Sequence, residues 1–190
     1  PVLEAMTEES VSLVCLARGA FRDAFAGMER ARQGYAELNM PQHVAIAEKQ
    51  LADAYLEVRL LPEAVDLFDR ALSRFESLEM PVERAWALVQ RARARAALAR
   101  APEEIADDLR RAWDLFSQQD VSAGRATVLL ARAELAVAQG DAGAAADAYR
   151  GLTTELFQLP SPGVTLYAVR KGGGGATGGG EIVVLSDSSG

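Results

Sequence analysis

The chain has 190 residues, 49% hydrophobic and 25% charged, the balance of a folding globular chain rather than a disordered or collagen-like one. A net charge of -7 leaves too little unopposed Lys and Arg for a phosphate-binding surface, which excludes nucleic acid and an anionic membrane as partners. One cysteine and one histidine exclude a disulfide framework and the usual zinc sites, so neither metal nor cofactor is expected.

No apolar run approaches the ~18 residues of a membrane span, and no basic-then-apolar leader opens the chain, so the sequence reads as cytoplasmic. The cations are nearly all Arg, with Lys49 and Lys171 the only lysines, and Ala is abundant, which points to a GC-rich bacterial source. The chain starts at Pro1 within a helical pattern and so reads as a piece of a longer protein.

At the amino end, the apolar run Val11 to Leu16 carries Cys15, whose expected place is a buried core. The sequence then repeats itself. Met28 recurs as Phe68, Leu109 and Tyr149, Tyr35 as Phe75 and Phe116, and Met40-Pro41 as Met80-Pro81, at a spacing of 40 or 41. Leu61-Pro62-Glu63 recurs as Ala101-Pro102-Glu103 at the same spacing. Within one unit, an apolar-periodic stretch from His43 to Arg59 precedes a break at Pro62, and a second stretch runs from Glu63 to Ser77.

Proline fits the first turn of a helix and pushes the residue before it out of helical geometry, so Pro41, Pro62, Pro81 and Pro102 mark helix starts. Ala47, Leu51, Ala52 and Tyr55 share one face of the first helix, and Ala64, Leu67, Phe68, Ala71, Leu72 and Phe75 share one face of the second. Each unit is therefore expected to be a helical hairpin. Arg91, Arg93, Arg95 and Arg100 followed by Glu103, Glu104, Asp107 and Asp108 read as a solvated face of alternating sign, and His43 as an exposed residue.

These residues resemble the tetratricopeptide repeat (TPR) in its longer bacterial form, with the pattern A-x3-L-A-x2-Y, a turn, then A-x3-F-x2-A. It stands here as Ala47, Leu51, Ala52, Tyr55, then Ala64, Phe68, Ala71. The next unit keeps Ala87, Ala92 and Ala112 but has Arg91 and Arg95 where Leu and Tyr belong, and the last has Gly140-Asp141 at its turn. The resemblance implies an all-α, right-handed α-solenoid of about four hairpins over residues 1–158.

It also implies that the first helix of each hairpin lines a concave groove for a protein or peptide partner. The inward positions are then Ile46, Lys49, Asp53, Leu56 and Glu57 in one repeat, and Trp86, Val89, Arg93, Ala96 and Ala97 in the next. Trp86 is the expected anchor, since an aromatic ring supplies a large contact area at low entropic cost.

From Leu159-Pro160-Ser161-Pro162 the helical pattern stops and a Gly-rich tail, 159–190, begins. Val164 to Val169 and Ile182 to Leu185 read as strands, and Thr165–Arg170 and Glu181–Asp187 have lengths suited to a hairpin. The run Gly172 to Gly180 between them resembles a flexible or engineered linker. It lacks the Gly-Lys-Ser/Thr ending of a phosphate-cradling loop, which excludes nucleotide binding there.

Glu181 to Gly190 is similar to the strand and loop V-V-L-S-A-C-x-[ST]-G that carries the nucleophile of CHAT peptidases, caspase-like enzymes that bacteria join to TPR repeats. Val183, Val184, Leu185 and Ser186 agree, Asp187 falls at the alanine and Ser188 at the cysteine. The resemblance implies a truncated CHAT-like domain. The chain is then an interaction scaffold that recognises a partner and regulates an associated peptidase in a larger protein or complex.

The chain itself is expected to be inactive, because a hydroxyl without a base is a poor substitute for a thiolate and no histidine follows the repeats. Two other readings are open. Ile182–Leu185 followed by Ser-Asp-Ser-Ser resembles a SUMO-interacting motif, which adds a strand to a sheet edge. The repeats equally suit the sensory region of a bacterial transcription regulator, which requires an adjoining DNA-binding domain.

Overall fold

The computed structural model describes residues 1–99, 102–157, 166–170 and 181–185. The chain divides into two compact units, 1–158 and 159–190. In the first, eight helices follow one another: α1 (Val2–Ala17), α2 (Phe21–Glu37), α3 (Pro41–Glu57), α4 (Leu61–Ser77), α5 (Pro81–Ala97), α6 (Pro102–Gln118), α7 (Ser122–Gln139) and α8 (Ala142–Phe157). They pair as four hairpins, α1–α2 to α7–α8, and the second helix of each packs against the first helix of the next. The first helices α3, α5 and α7 also touch one another in turn, which gives the stack an inner layer. The architecture is an all-α repeat solenoid.

Proline places the helix starts as the sequence predicts: Pro41, Pro81 and Pro102 are the first residues of α3, α5 and α6, and Pro62 is the second of α4. The helix ends share a device that the sequence hides. Each of α1 to α7 is followed by a residue in the left-handed region: Gly19, Asn39, Arg59, Glu79, Ala99, Asp120 and Gly140, with φ between 52° and 76°. After Gly19, Asn39, Arg59, Glu79, Asp120 and Gly140, the next amide bonds back across the helix end. The N–H groups of Met40, Met80 and Val121 donate at 2.9 Å to the carbonyls of Tyr35, Phe75 and Phe116. The left-handed residue thus satisfies carbonyls that would otherwise lack partners. Only two of the seven positions carry glycine, so five turns hold a side chain in a disfavoured conformation.

The recurring large residues form the core. Tyr35, Phe75 and Phe116 are buried, as are Met28, Phe68 and Leu109, whereas the last member of that series, Tyr149, is 45% exposed. It lies on α8, the last helix among the described residues. Cys15 departs from expectation and is only partly buried. The apolar run around it lies on α1, the first helix described, where Val11, Leu13 and Val14 are exposed.

A second correction concerns Arg91, Arg95 and Asp108 of the third hairpin, which do not lie on a solvated face; Glu103 and Glu104 are exposed, and Arg100 lies outside the described residues. Asp108 is buried, and its carboxylate accepts from Arg91 Nε at 3.0 Å, Arg91 Nη2 at 2.5 Å and Arg95 Nη1 at 2.9 Å. Arg91 Nη1 reaches Asp69 of α4 at 2.5 Å, so the cluster ties three helices together. Burial works against the Arg91 charge, yet the carboxylates of Asp108 and Asp69 outweigh it and hold the guanidinium above its ordinary pKa. In repeat register, Arg91, Arg95 and Asp108 occupy the places of Leu51, Tyr55 and Leu67. One repeat has exchanged an apolar trio for an ionic one. Glu48 forms a smaller buried cluster, accepting from Arg74 Nε at 2.8 Å with Arg32 Nη1 3.9 Å away.

In the second unit, β1 (Leu166–Arg170) and β2 (Glu181–Leu185) pair antiparallel, Leu166 opposite Leu185 and Arg170 opposite Glu181. Thr165, the Gly172 to Gly180 run, and Ser186, Asp187 and Ser188 lie outside the described residues.

Candidate functional site

The inner layer of first helices opens into a cleft of about 550 Å³. Leu56, Glu57 and Arg59 at the end of α3 form one wall, and Glu134, Leu135 and Ala138 of α7 form the other. Ala92, Arg93, Ala96 and Ala97 of α5 run between them, while Ile105 and Leu109 of α6 and Ala131 close the floor. The hollow exists because α5 presents alanine at three of these four positions and so leaves volume that larger side chains would fill. Its floor is apolar and its rim bears two acids and two arginines: Glu57, Glu134, Arg59 and Arg93.

Arg93 is the polar centre of this cleft. Nη1 donates to Gln90 Oε1 at 3.1 Å. Nε lies 3.4 Å from Glu134 Oε2, close enough for an ion pair, but it is buried with no hydrogen bond. Buried donors in folded proteins are rarely left unpaired. A ligand oxygen entering the cleft would meet a guanidinium that the fold has only partly satisfied.

Of the residues that the repeat resemblance assigns to the groove, Leu56, Glu57, Arg93, Ala96 and Ala97 come together in the cleft. Lys49 and Asp53 lie one to two turns earlier on α3 and pair with each other at 2.7 Å. Asp53 also accepts from Gln90 of α5 at 3.4 Å. Ile46 and Trp86 pack against the core instead, and the Trp86 ring meets Phe116 edge-on with centroids 4.9 Å apart.

Val89 is fully buried and cannot contact a partner, because α5 is flanked on the inner layer by α3 and α7. Sequence reasoning missed Glu134 and Ala138. The signal was present, since a step of 41 from Arg93 and Ala97 of α5 arrives at them on α7. Ile105 and Leu109 were readable only as core. His43 is partly buried, its ring 5.0 Å from that of Tyr35.

Among the described residues no helix is long and apolar enough to cross a membrane. No family model matches the chain, and no curated protein matches its sequence. Solved structures do. The chain is similar to aspartyl phosphate phosphatase F from Bacillus subtilis at 13% identity and TM-score 0.75, covering 83% of this chain and 41% of that one. It is likewise similar to the apo form of RapI at 13% identity and TM-score 0.73, covering 84% and 44%. A kinesin light chain from Podosopora anserina with nearly identical TPR-like repeats matches at 16% identity and TM-score 0.68, covering 85% and 79%. The fold is that of the TPR-like repeats. The chain spans less than half the length of the first two structures.

Proposed function

We propose that the TPR-like unit is a protein-interaction scaffold and that the α3–α5–α7 cleft is the groove that takes a segment of its partner. The observation that carries this reading is the cleft itself, an apolar hollow with a charged rim and, at its centre, Arg93, whose side chain is 32% exposed and bonded only to Gln90, with Glu134 at ion-pair distance. An apolar side chain of the partner would fill the alanine-lined space, and an adjacent carbonyl or carboxylate would accept from Arg93.

The reading extends to a parent protein in which this scaffold regulates a CHAT caspase-like peptidase, acting in the cytoplasm of a bacterium. What supports the extension is the likeness of Val183, Val184, Leu185 and Ser186 to the nucleophile strand of that family, next to repeats of the kind it is joined to. With Ser188 at the cysteine's position, this chain would recognise and not cleave.

A photo-crosslinking residue placed at Ala97 in the full chain, with one at Ala106 on α6 as control, tests the groove in lysate of the source cell. Discrete adducts from Ala97 and none from Ala106 are expected. Equal labelling at both positions, or none at either, would overturn the assignment.

A further inference from the structure

We propose that Trp113 of α6 and Arg132 of α7 form a second binding site, on the seam of α6, α7 and α8, that takes a carboxylate side chain of a protein partner. The repeat register locates it. The starts of α4 and α6 are 41 residues apart, as are those of α5 and α7, and α8 starts 40 residues after α6. These steps bring Arg91 to Arg132, Leu72 to Trp113, Asp69 to Arg110 and Asp108 to Ala148. The fourth hairpin therefore keeps a guanidinium of the ionic cluster and has lost both of its acids.

Arg91 is held by Asp108 of its own hairpin and by Asp69 of the preceding one. The helices that would supply the same two acids to Arg132 are α8 and α6, both present, so the loss does not come from an end of the stack. Ala148 is buried at the one place, and an exposed Arg110 stands at the other. Among the described residues, Asp114 attracts Arg132 without a hydrogen bond, since its carboxylate is turned to Arg110 Nη1 at 3.4 Å. Asp107 is likewise engaged by Arg110. Burial consequently outweighs attraction and holds the Arg132 guanidinium below its ordinary pKa, the opposite of Arg91.

An aromatic ring has taken the place of the acids. The guanidinium carbon of Arg132 lies over the Trp113 ring, 5.5 Å from its centre. Stacking of this kind uses the flat face of the guanidinium and leaves its N–H groups, which lie in the plane, to other acceptors. Both side chains are partly buried, so an arriving acceptor meets a cation that has already lost much of its water.

The fold itself shows which acceptor suits this place, because one repeat earlier the equivalent guanidinium binds two carboxylates. A phosphate group carries about two negative charges and draws on several cations, whereas here Asp107 and Asp114 occupy Arg110. Trp113 offers apolar surface to the methylene groups beside the carboxylate. The pair shares no residue with the α3–α5–α7 cleft, so the inference is independent of what the cleft binds.

The test follows the Arg132 Nε–H and the Trp113 indole N–H by NMR in the full chain. The probe is the capped dipeptide acetyl-Glu-Leu-amide, with acetyl-Gln-Leu-amide as the neutral control. The glutamyl peptide is expected to shift both signals saturably and to bind at least ~10-fold more tightly than the control. Arg132→Gln should remove the Trp113 response while circular dichroism shows unchanged helix content. Ala148→Asp returns the acid that Asp108 gives to Arg91. It should raise the unfolding temperature of the wild type, lower that of Arg132→Gln, and block the peptide. Absence of a saturable shift, equal binding of the two peptides, or a Trp113 response that survives Arg132→Gln would overturn the proposal. Inorganic phosphate binding as well as the glutamyl peptide would overturn the carboxylate assignment, and an Ala148→Asp change that destabilises both backgrounds alike would overturn the register on which it rests.

Discussion

Replacing Asp108 with alanine removes the acceptor of three hydrogen bonds and leaves Arg91 and Arg95, both largely buried, with only the outer carboxylates of Asp69 and Glu104. The Asp108 side chain is 2% exposed, and those of Arg91 and Arg95 are 12% and 16% exposed, so water cannot readily replace it. Breaking one side of a buried ionic cluster in this way costs about 3–5 kcal/mol. Removing all three charges is a different perturbation. Arg91→Leu, Arg95→Tyr and Asp108→Leu together restore the trio that the preceding repeat carries at Leu51, Tyr55 and Leu67. Asp69 and Glu104 are then left on their own, but they are 47% and 59% exposed and keep their hydration.

The triple variant should therefore match the wild type or exceed it by about 1–4 kcal/mol. Urea unfolding followed by far-UV circular dichroism reads both variants, provided the slope with denaturant is unchanged. A loss below about 1 kcal/mol for Asp108→Ala would refute the picture of a closed buried cluster. A triple variant as damaged as the single one would refute the equivalence of the two trios.

Further outcomes follow from the turns and the titratable groups. Glu79 sits at φ 53° with an exposed side chain, so Glu79→Gly relieves left-handed strain. It should raise stability by about 0.5–1 kcal/mol in the same urea assay. Tyr35 is buried, and its hydroxyl donates to Glu9 Oε2 at 2.5 Å; burial first and the carboxylate second push its pKa well above the ordinary value. A folded pKa above the unfolded one means that this contribution is complete below the unfolded value of about 10 and is lost as pH rises through the alkaline range. Absorbance at the phenolate band should show one tyrosine ionising only with alkaline unfolding, and Tyr35→Phe should delete that component.

The repeat was legible because each hairpin must bury one stripe, and a stripe that recurs every forty residues survives substitution at single positions. Tyr35, Phe75 and Phe116 kept their burial although the residue type changed. The ionic cluster was not legible, because charge alternation along a sequence carries no information on which helix stands opposite. The useful sign was positional: Arg91 and Arg95 at places that the pattern reserves for Leu and Tyr, with Asp108 at the place of Leu67.

For the cleft, spacing identified the inward-turning residues near the end of each first helix, where Leu56, Glu57, Arg93, Ala96 and Ala97 meet. It failed at Val89 and Trp86 because their surroundings depend on neighbouring helices, which close over Val89 and offer Phe116 to Trp86. For that reason Trp86→Ala would report on packing and not on binding.

The central claim, that the α3–α5–α7 cleft holds the partner, is tested most directly by an affinity ratio. The partner segment trapped from Ala97 is made as a peptide, and its binding is measured to the wild type, to Ala96→Trp, which fills the hollow, and to Arg93→Gln. Circular dichroism confirms that the variants are folded. The account predicts binding at least ~10-fold weaker to each variant, a loss of about 1.4 kcal/mol or more. Equal affinity for the wild type and a folded Ala96→Trp would contradict it.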